Sequence, residues 1–135
     1  MIVYKKLIID KERILNLYQD NDWNAYTNDF EGLIKGILNS TDAIGAYDSD
    51  NLVGLIRTVS DQATICYIQD ILVLNSHKNQ GIGTKLLTMM LEKYHYVRQV
   101  VLMTDINDKR SNQFYKKLGM VEYKEKDCIG YIMKQ

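Results

Sequence analysis

Proline is absent from the chain, and cysteine, histidine and long apolar runs are scarce. Without proline, helix and strand ends must be read from glycine, asparagine and capping side chains. The two cysteines, Cys66 and Cys128, form no CxxC pair and have no histidine at metal-ligand spacing. They supply neither a disulfide framework nor a metal site; both are expected as core thiols in a reducing cytoplasm. Apolar runs such as Ile71 to Leu74 are far short of a bilayer span, so no membrane helix is expected. Met1 to Lys6 lacks the basic-then-apolar order of a signal peptide. Charge of one sign is missing too, with 17 basic against 17 acidic residues. A pI near 6.7 and the lack of an arginine-rich stripe argue against a nucleic-acid partner.

What remains is a soluble globular composition, 46% hydrophobic and 25% charged, which excludes disorder, collagen-like repeats and coiled coil. The 135 residues suit one domain over 1–135, able to bury roughly two thirds of its unfolded surface. No repeat or linker divides it. Residues 1–50 carry five Lys/Arg against nine Asp/Glu, a net of −4, and residues 51–135 carry twelve against eight, a net of +4. Such a split suits a protein handling a cation on one side and an anion on the other; two solvated surfaces of opposite sign would read the same way.

The pattern predicts a strand over Ile2 to Ile9, then a helix over Lys11 to Tyr18 capped by Asp10, with Ile14, Leu15 and Tyr18 inward. Residues 19 to 27 are irregular, and Asp29 to Leu38 forms a second helix with a stripe of Phe30, Leu33, Ile34, Ile37 and Leu38. Strands follow at Ala43 to Tyr47, Leu52 to Ser60 and Ala63 to Leu74. An amphipathic helix begins near Ile82, Val97 to Thr104 is a strand, and Lys109 to Leu118 is a helix stopped by Gly119. Val121 to Lys124 and Ile129 to Lys134 close the chain as strands. The order β-α-α-β-β-β-α-β-α-β-β gives an α/β fold with a mixed sheet.

Lys78-Asn79-Gln80-Gly81-Ile82-Gly83 lies between the most apolar strand and the amphipathic helix. The first N–H groups of a helix lack internal partners, so this is where a phosphate would be held. Glycines at 81 and 83 open the backbone, Lys78 adds positive charge, and Thr84 adds a hydroxyl. A bare GxG by itself reads first as an ordinary strand-to-helix turn with two convenient glycines. Neither of the two common nucleotide signatures fits: there is no third glycine at dinucleotide spacing and no GK[ST].

The run Ile71 to Leu87, ILVLNSHKNQGIGTKLL, resembles the coenzyme A motif of the GNAT superfamily of acyl-CoA-dependent N-acyltransferases, an [RQ]xxGx[GA] turn after a strand. Asn107 to Met120, NDKRSNQFYKKLGM, resembles the second family signature, NxxAxxFYxKLGF. Both stand in the family's order, and the element order matches its fold over nearly the whole chain. Lys78 replaces the usual Arg or Gln, keeping a donor without the planar fork. Asp108 stands at the usual Asn position with Asn107 before it, Ser111 replaces Ala, and Met120 replaces Phe.

The resemblance implies acetyl-CoA as cosubstrate, held without a metal between two splayed parallel strands. Backbone groups of Ile71, Leu72 and Val73 would meet the pantetheine arm, and one N–H would polarise the thioester carbonyl. Residues Lys78, Asn79, Gln80, Gly81, Ile82, Gly83 and Thr84 would hold the diphosphate, with Asn107, Asn112 and Tyr115 completing the cofactor contacts. A primary amine of a small molecule or peptide attacks directly, so no nucleophilic side chain is needed. Tyr115 matches the family's general acid for the departing thiolate; packing of its helix is the structural alternative.

Relatives often carry a carboxylate four residues before the motif valine, where this chain has Gln69. Its neighbour Asp70 is the candidate base, and a carboxylate satisfied by its surroundings is the competing reading. A water chain is the third. Strict alternation puts Tyr67, Gln69 and Ile71 on one face and Ile68, Asp70 and Leu72 on the other, unless a bulge intervenes. The family covers its acceptor cleft with the region equivalent to Asp20 to Asp29. There Trp23 and Tyr26 would hold an amine by cation–π contact, or Trp23 would anchor the loop. A non-catalytic acyl-CoA-binding module and a nucleotide-binding regulator are the competing functions. An alternating apolar C-terminal strand would suit a homodimer.

Overall fold

The computed structural model describes residues 1–134. It divides into two compact units, Met1–Leu102 and the part from Met103 onward. In the first unit, strands β1 (Ile2–Lys6), β2 (Asp42–Asp48), β3 (Asn51–Ser60), β4 (Ile65–Val73) and β5 (Gln99–Val101) form one sheet in that order. Neighbours are antiparallel up to β4, and β4 pairs with β5 in parallel. Helices α1 (Lys11–Asp20), α2 (Asn24–Thr27), α3 (Phe30–Leu38) and α4 (Ile82–Lys93) complete the unit. The mixed α/β sheet read from the sequence is present.

Capping sets the helix starts. Asp10 accepts the Arg13 amide at 3.2 Å and Asp29 accepts the Gly32 amide at 3.2 Å, each filling one of the donors a helix leaves open. On one face of the sheet, Ile14, Leu17 and Tyr18 of α1 and Leu33, Ile34 and Ile37 of α3 pack against Tyr47, Leu52, Leu55 and Leu72. Burying each such aliphatic side chain contributes about 1.5–3 kcal/mol. Leu17 takes the buried place expected for Leu15, and Leu38 stays exposed. On the other face α4 approaches Gly54 so closely that a Cβ there would stand 3.0 Å from Ile82 and 3.2 Å from Leu86. Gly54 and its partner Ala46 are small because the helix needs the room.

A bulge in β4 reassigns the faces. Thr58 faces Ile68 and Arg57 faces Asp70, leaving Gln69 as the extra residue. Cys66 and Ile68 therefore share the α4 side with Thr58, while Asp70 and Leu72 lie with Arg57 and Leu55 under α1 and α3. Strict alternation across residues 67–72 is corrected on this point.

The second unit holds α5 (Lys109–Lys117), followed by Gly119 at φ +94°. The two strands expected at the C-terminus are not present. Tyr123–Lys126 instead forms a 3-10 turn, closed by a reciprocal Glu122–Glu125 capping box. Residues 129–134 form no strand, and Ile129, Tyr131, Ile132 and Met133 are all at least 75% exposed. Cys66 is buried as expected, whereas Cys128 is exposed and is no core thiol.

Candidate functional site

The β4–β5 ladder is only three residues long, from Ile65–Gln99 to Tyr67–Val101. From Ile68 to Val73, β4 pairs with β3 alone among the described strands. The Leu74 amide donates to the Val53 carbonyl at 2.8 Å. In an antiparallel ladder this alternation turns the amide and carbonyl of Leu72 toward β3 and those of Ile71 and Val73 toward the open side. Leu72 is thereby removed from the backbone groups expected to meet a ligand. The Val73 carbonyl already accepts from Asn21 Nδ2 at 3.1 Å, and Asn75 bonds Asp20 through both its amide and its side chain at 2.7 Å. The end of α1 is thus stapled to the end of β4.

Beyond β4, Asn75–His77 makes a 3-10 turn, and His77 Nε2 pairs with Asp48 at 2.9 Å. Asn79 and Gly81 take left-handed backbone at φ +65° and +81°. Asparagine tolerates this conformation, and glycine adopts it without penalty. Gly81 caps α4 with no side-chain acceptor, which leaves the N–H groups of Ile82, Gly83 and Thr84 without a helical partner. A Cβ on Gly81 would meet nothing within 4 Å, so the space over this turn is open. The Ile82 side chain is buried, so only its backbone faces the turn. The turn at residues 78–84 thus ends in three unpaired helical N–H groups beside open space, the geometry in which an anion can be held.

Asp70 is 3% exposed, and both of its carboxylate oxygens accept hydrogen bonds. Oδ2 accepts from Arg57 Nε at 2.5 Å and Tyr18 Oη at 2.9 Å, and Oδ1 accepts from Tyr26 Oη at 2.9 Å. Tyr26 Oη in turn accepts from Gln69 Nε2 at 2.9 Å and Arg57 Nη2 at 3.2 Å. Arg57 Nη1 reaches Ser40 Oγ at 3.2 Å. Burial, with Asp70 acting in the same direction, pushes both phenols above the usual tyrosine range. Burial opposes the charge of Arg57, but the adjoining Asp70 outweighs it and holds the guanidinium charged. Tyr18 meets Trp23 and Tyr26 edge-on at 5.7 and 5.5 Å, and Trp23 packs against the hydrophobic core. The structure therefore brings together Trp23, Tyr26, Gln69 and Asp70.

In the second unit, Asp108 caps α5 by accepting the Ser111 amide at 3.0 Å. Asn112 Nδ2 donates to the Asp105 and Asp108 carbonyls at 2.9 and 2.8 Å, and the Asn107 amide donates to Asp105 Oδ1 at 2.8 Å. Asn107 and Asn112 thus belong to one wound turn ahead of the helix. Tyr115 stacks edge-on with Phe114 at 5.3 Å, and burial with the Asp108 charge pushes its phenol up to about 12.

The acetyltransferase (GNAT) family profile matches residues 11–120, most of the chain. The chain belongs to the GNAT acetyltransferase family. A GNAT-family acetyltransferase from Streptococcus pneumoniae superposes with a TM-score of 0.88 at 34% identity, covering 100% of this chain and 98% of that one. A Staphylococcus aureus protein follows at 26% identity and a TM-score of 0.83, with both chains fully covered. N-alpha-acetyltransferase 30 of Schizosaccharomyces pombe is 29% identical over 85 residues, 58% of this chain and 57% of its own length. An acetyltransferase-named protein of Gibberella zeae is 36% identical over 78 residues, 56% of this chain and 42% of its own. The matches span about half the length of these last two relatives.

Within this GNAT protein, Arg57 and Tyr18 are the site residues that the sequence pattern left unmarked. Arg57 sits inside an apolar run and Tyr18 on the inward side of α1, and only the pairing of β3 with β4 and the packing of α1 bring them to Asp70. An arginine in the middle of a strand whose neighbours are all buried was the available signal. No helix among the described residues is long and apolar enough to cross a membrane.

Proposed function

We propose that this protein transfers an acetyl group from acetyl-CoA to a primary amine of a small molecule or peptide by direct attack. The observation that carries this reading is the uncapped, glycine-opened start of α4, reached by one short turn from the end of a strand released from its parallel neighbour. The N–H groups of Ile82, Gly83 and Thr84 and the charge of Lys78 suit the diphosphate of CoA, with Asn79 and Gln80 shaping the turn. The open-side amides of Ile71 and Val73 suit the pantetheine arm. Asn107 and Asn112 stand at the family's second signature and support the cofactor end.

Tyr115 serves as the acid for the departing thiolate. With its phenol pushed up to about 12, it holds its proton at neutral pH, as an acid must. Asp70 is the carboxylate that takes up the acceptor's proton, and Trp23, Tyr26 and Gln69 form the acceptor end. Peptide N-termini are the first acceptor class to test, because the S. pombe relative is named as an N-alpha-acetyltransferase. We assign the reaction to one cytoplasmic domain. The exposed apolar stretch Ile129 to Met133 is its surface for pairing with a second copy.

Thiol release over a panel of amines tests this. Wild type turns over at least one amine, and Tyr115→Phe lowers kcat by about 10²-fold or more while CoA binding persists. Tight CoA binding with no turnover of any amine would overturn the enzyme in favour of a non-catalytic acyl-CoA-binding module, a reading that Gln69 favours by standing where relatives carry a carboxylate. Competition of ATP with CoA would instead point to a nucleotide-binding regulator.

A further inference from the structure

Tyr26 Oη uses its single proton and both lone pairs, donating to Asp70 Oδ1 and accepting from Arg57 Nη2 and Gln69 Nε2. These partners are not alike. Arg57 and Asp70 are fixed in the core, whereas Gln69 is exposed and contributes a rotatable amide. Neighbours in a regular strand point to opposite faces; here residues 69 and 70 reach one hydroxyl because the β4 bulge lies between them. Asp70 Oδ2 is taken by Arg57 and Tyr18, so its remaining oxygen faces outward through Tyr26. Tyr26 is half-buried, and it joins a buried carboxylate to the surface.

We propose that Tyr26 and Asp70 form a proton relay for the acceptor amine, with Arg57 and Tyr18 as positioning residues. The relay rests on the acetyltransferase reading above. An amine N–H replaces Gln69 Nε2 as donor to Tyr26 Oη. The N–H bond then breaks as Oη takes that proton, while the original Oη–H bond breaks and its proton joins Asp70 Oδ1. The ammonium loses one positive charge and the carboxylate one negative charge, so the step balances without a co-reactant. Tyrosine ends as it began, a neutral phenol. Arg57 keeps its charge, so protonated Asp70 is short-lived and returns the proton to solvent through Tyr26 after product leaves. The ionisable groups that bond Asp70 are Arg57 from β3, Tyr18 from α1 and Tyr26 from α2. Arg57 orients the carboxylate with Nε and steadies the phenol with Nη2, a fixed fork that a lysine does not reproduce.

The test compares Tyr26→Phe with wild type on two amines, an alkylamine that is protonated at neutral pH and an aromatic amine that is already neutral there. The relay predicts that Tyr26→Phe lowers kcat for the alkylamine by about 10²-fold or more and for the aromatic amine by about threefold or less. The alkylamine deficit shrinks as pH rises past the pKa of its ammonium group, roughly 10. A purely structural role costs both amines equally, so an equal loss, or no loss, overturns the relay. Phenylalanine keeps the ring contacts with Tyr18 and Trp23, and circular dichroism checks that the variant is folded. Asp70→Asn provides a second check and shows the same split wherever circular dichroism finds it folded. If wild type turns over amines but Tyr26→Phe shows no split, the relay alone fails. If wild type turns over no amine, the acetyltransferase reading fails and takes the relay with it.

Discussion

Arg57 and Asp70 face each other across β3 and β4 with 2.5 Å between Nε and Oδ2, and their side chains are only 6% and 2% exposed. A pair this deeply buried gives up most of its hydration, so its value lies in each partner keeping the other from standing alone. Replacing Asp70 by Ala strands a buried guanidinium and is expected to cost about 3–5 kcal/mol in urea unfolding. Exchanging both residues for apolar ones of similar size is expected to recover most of that loss. A single-variant cost below about 1 kcal/mol would show that water already reaches the pair.

Gly81 adopts φ +81° with open space where a Cβ would stand. A substitution there is resisted by the backbone alone, not by a clash. Gly81→Ala is expected to destabilise the fold by about 1–2 kcal/mol, and Gly81→Asn by less, because asparagine tolerates left-handed backbone. Thermal unfolding of the two variants checks the order; equal or negligible losses would mean that the turn adopts another conformation in solution.

The two cysteines differ in environment, and that difference is measurable. Cys128 is exposed and is expected to react with a thiol reagent in the native protein, while Cys66 reacts only after unfolding. Burial pushes the Cys66 thiol from its ordinary 9.0 up to about 11. Both it and Tyr115, raised from 10.0 to about 12, hold their protons more tightly folded than unfolded. Stability from these groups is complete below pH 9 and is lost as pH rises through 11 to 12. The urea midpoint is therefore expected to fall across that window; a midpoint that rises there would contradict both assignments.

Much of this arrangement is visible in the chain before any fold is known. Asp10 and Asp29 announce their helices by capping chemistry, Gly119 marks the end of α5, and the glycines at 81 and 83 mark the turn into α4. These are local signals, written within a few residues of the feature they produce. The environment of Asp70 is not local. Its partners lie 13, 44 and 52 residues away, and its face is set by a bulge that exists only in the pairing of β4 with β3. The C-terminal residues fail for a related reason. Their alternating apolar pattern suits a strand, but strand formation needs a partner edge, and the Glu122–Glu125 box settles the preceding residues into a 3-10 turn instead.

Calorimetric titration with CoA, comparing wild type and Gly83→Asp, most directly tests the diphosphate at the start of α4. An acidic residue in the first helical turn favours the helix itself, so the variant stays folded while repelling an anion at the same N–H groups. One binding site per chain in wild type, weakened about tenfold or more by Gly83→Asp without loss of thermal stability, is the expected result. Equal affinity in the two proteins, or no heat from wild type, would contradict it.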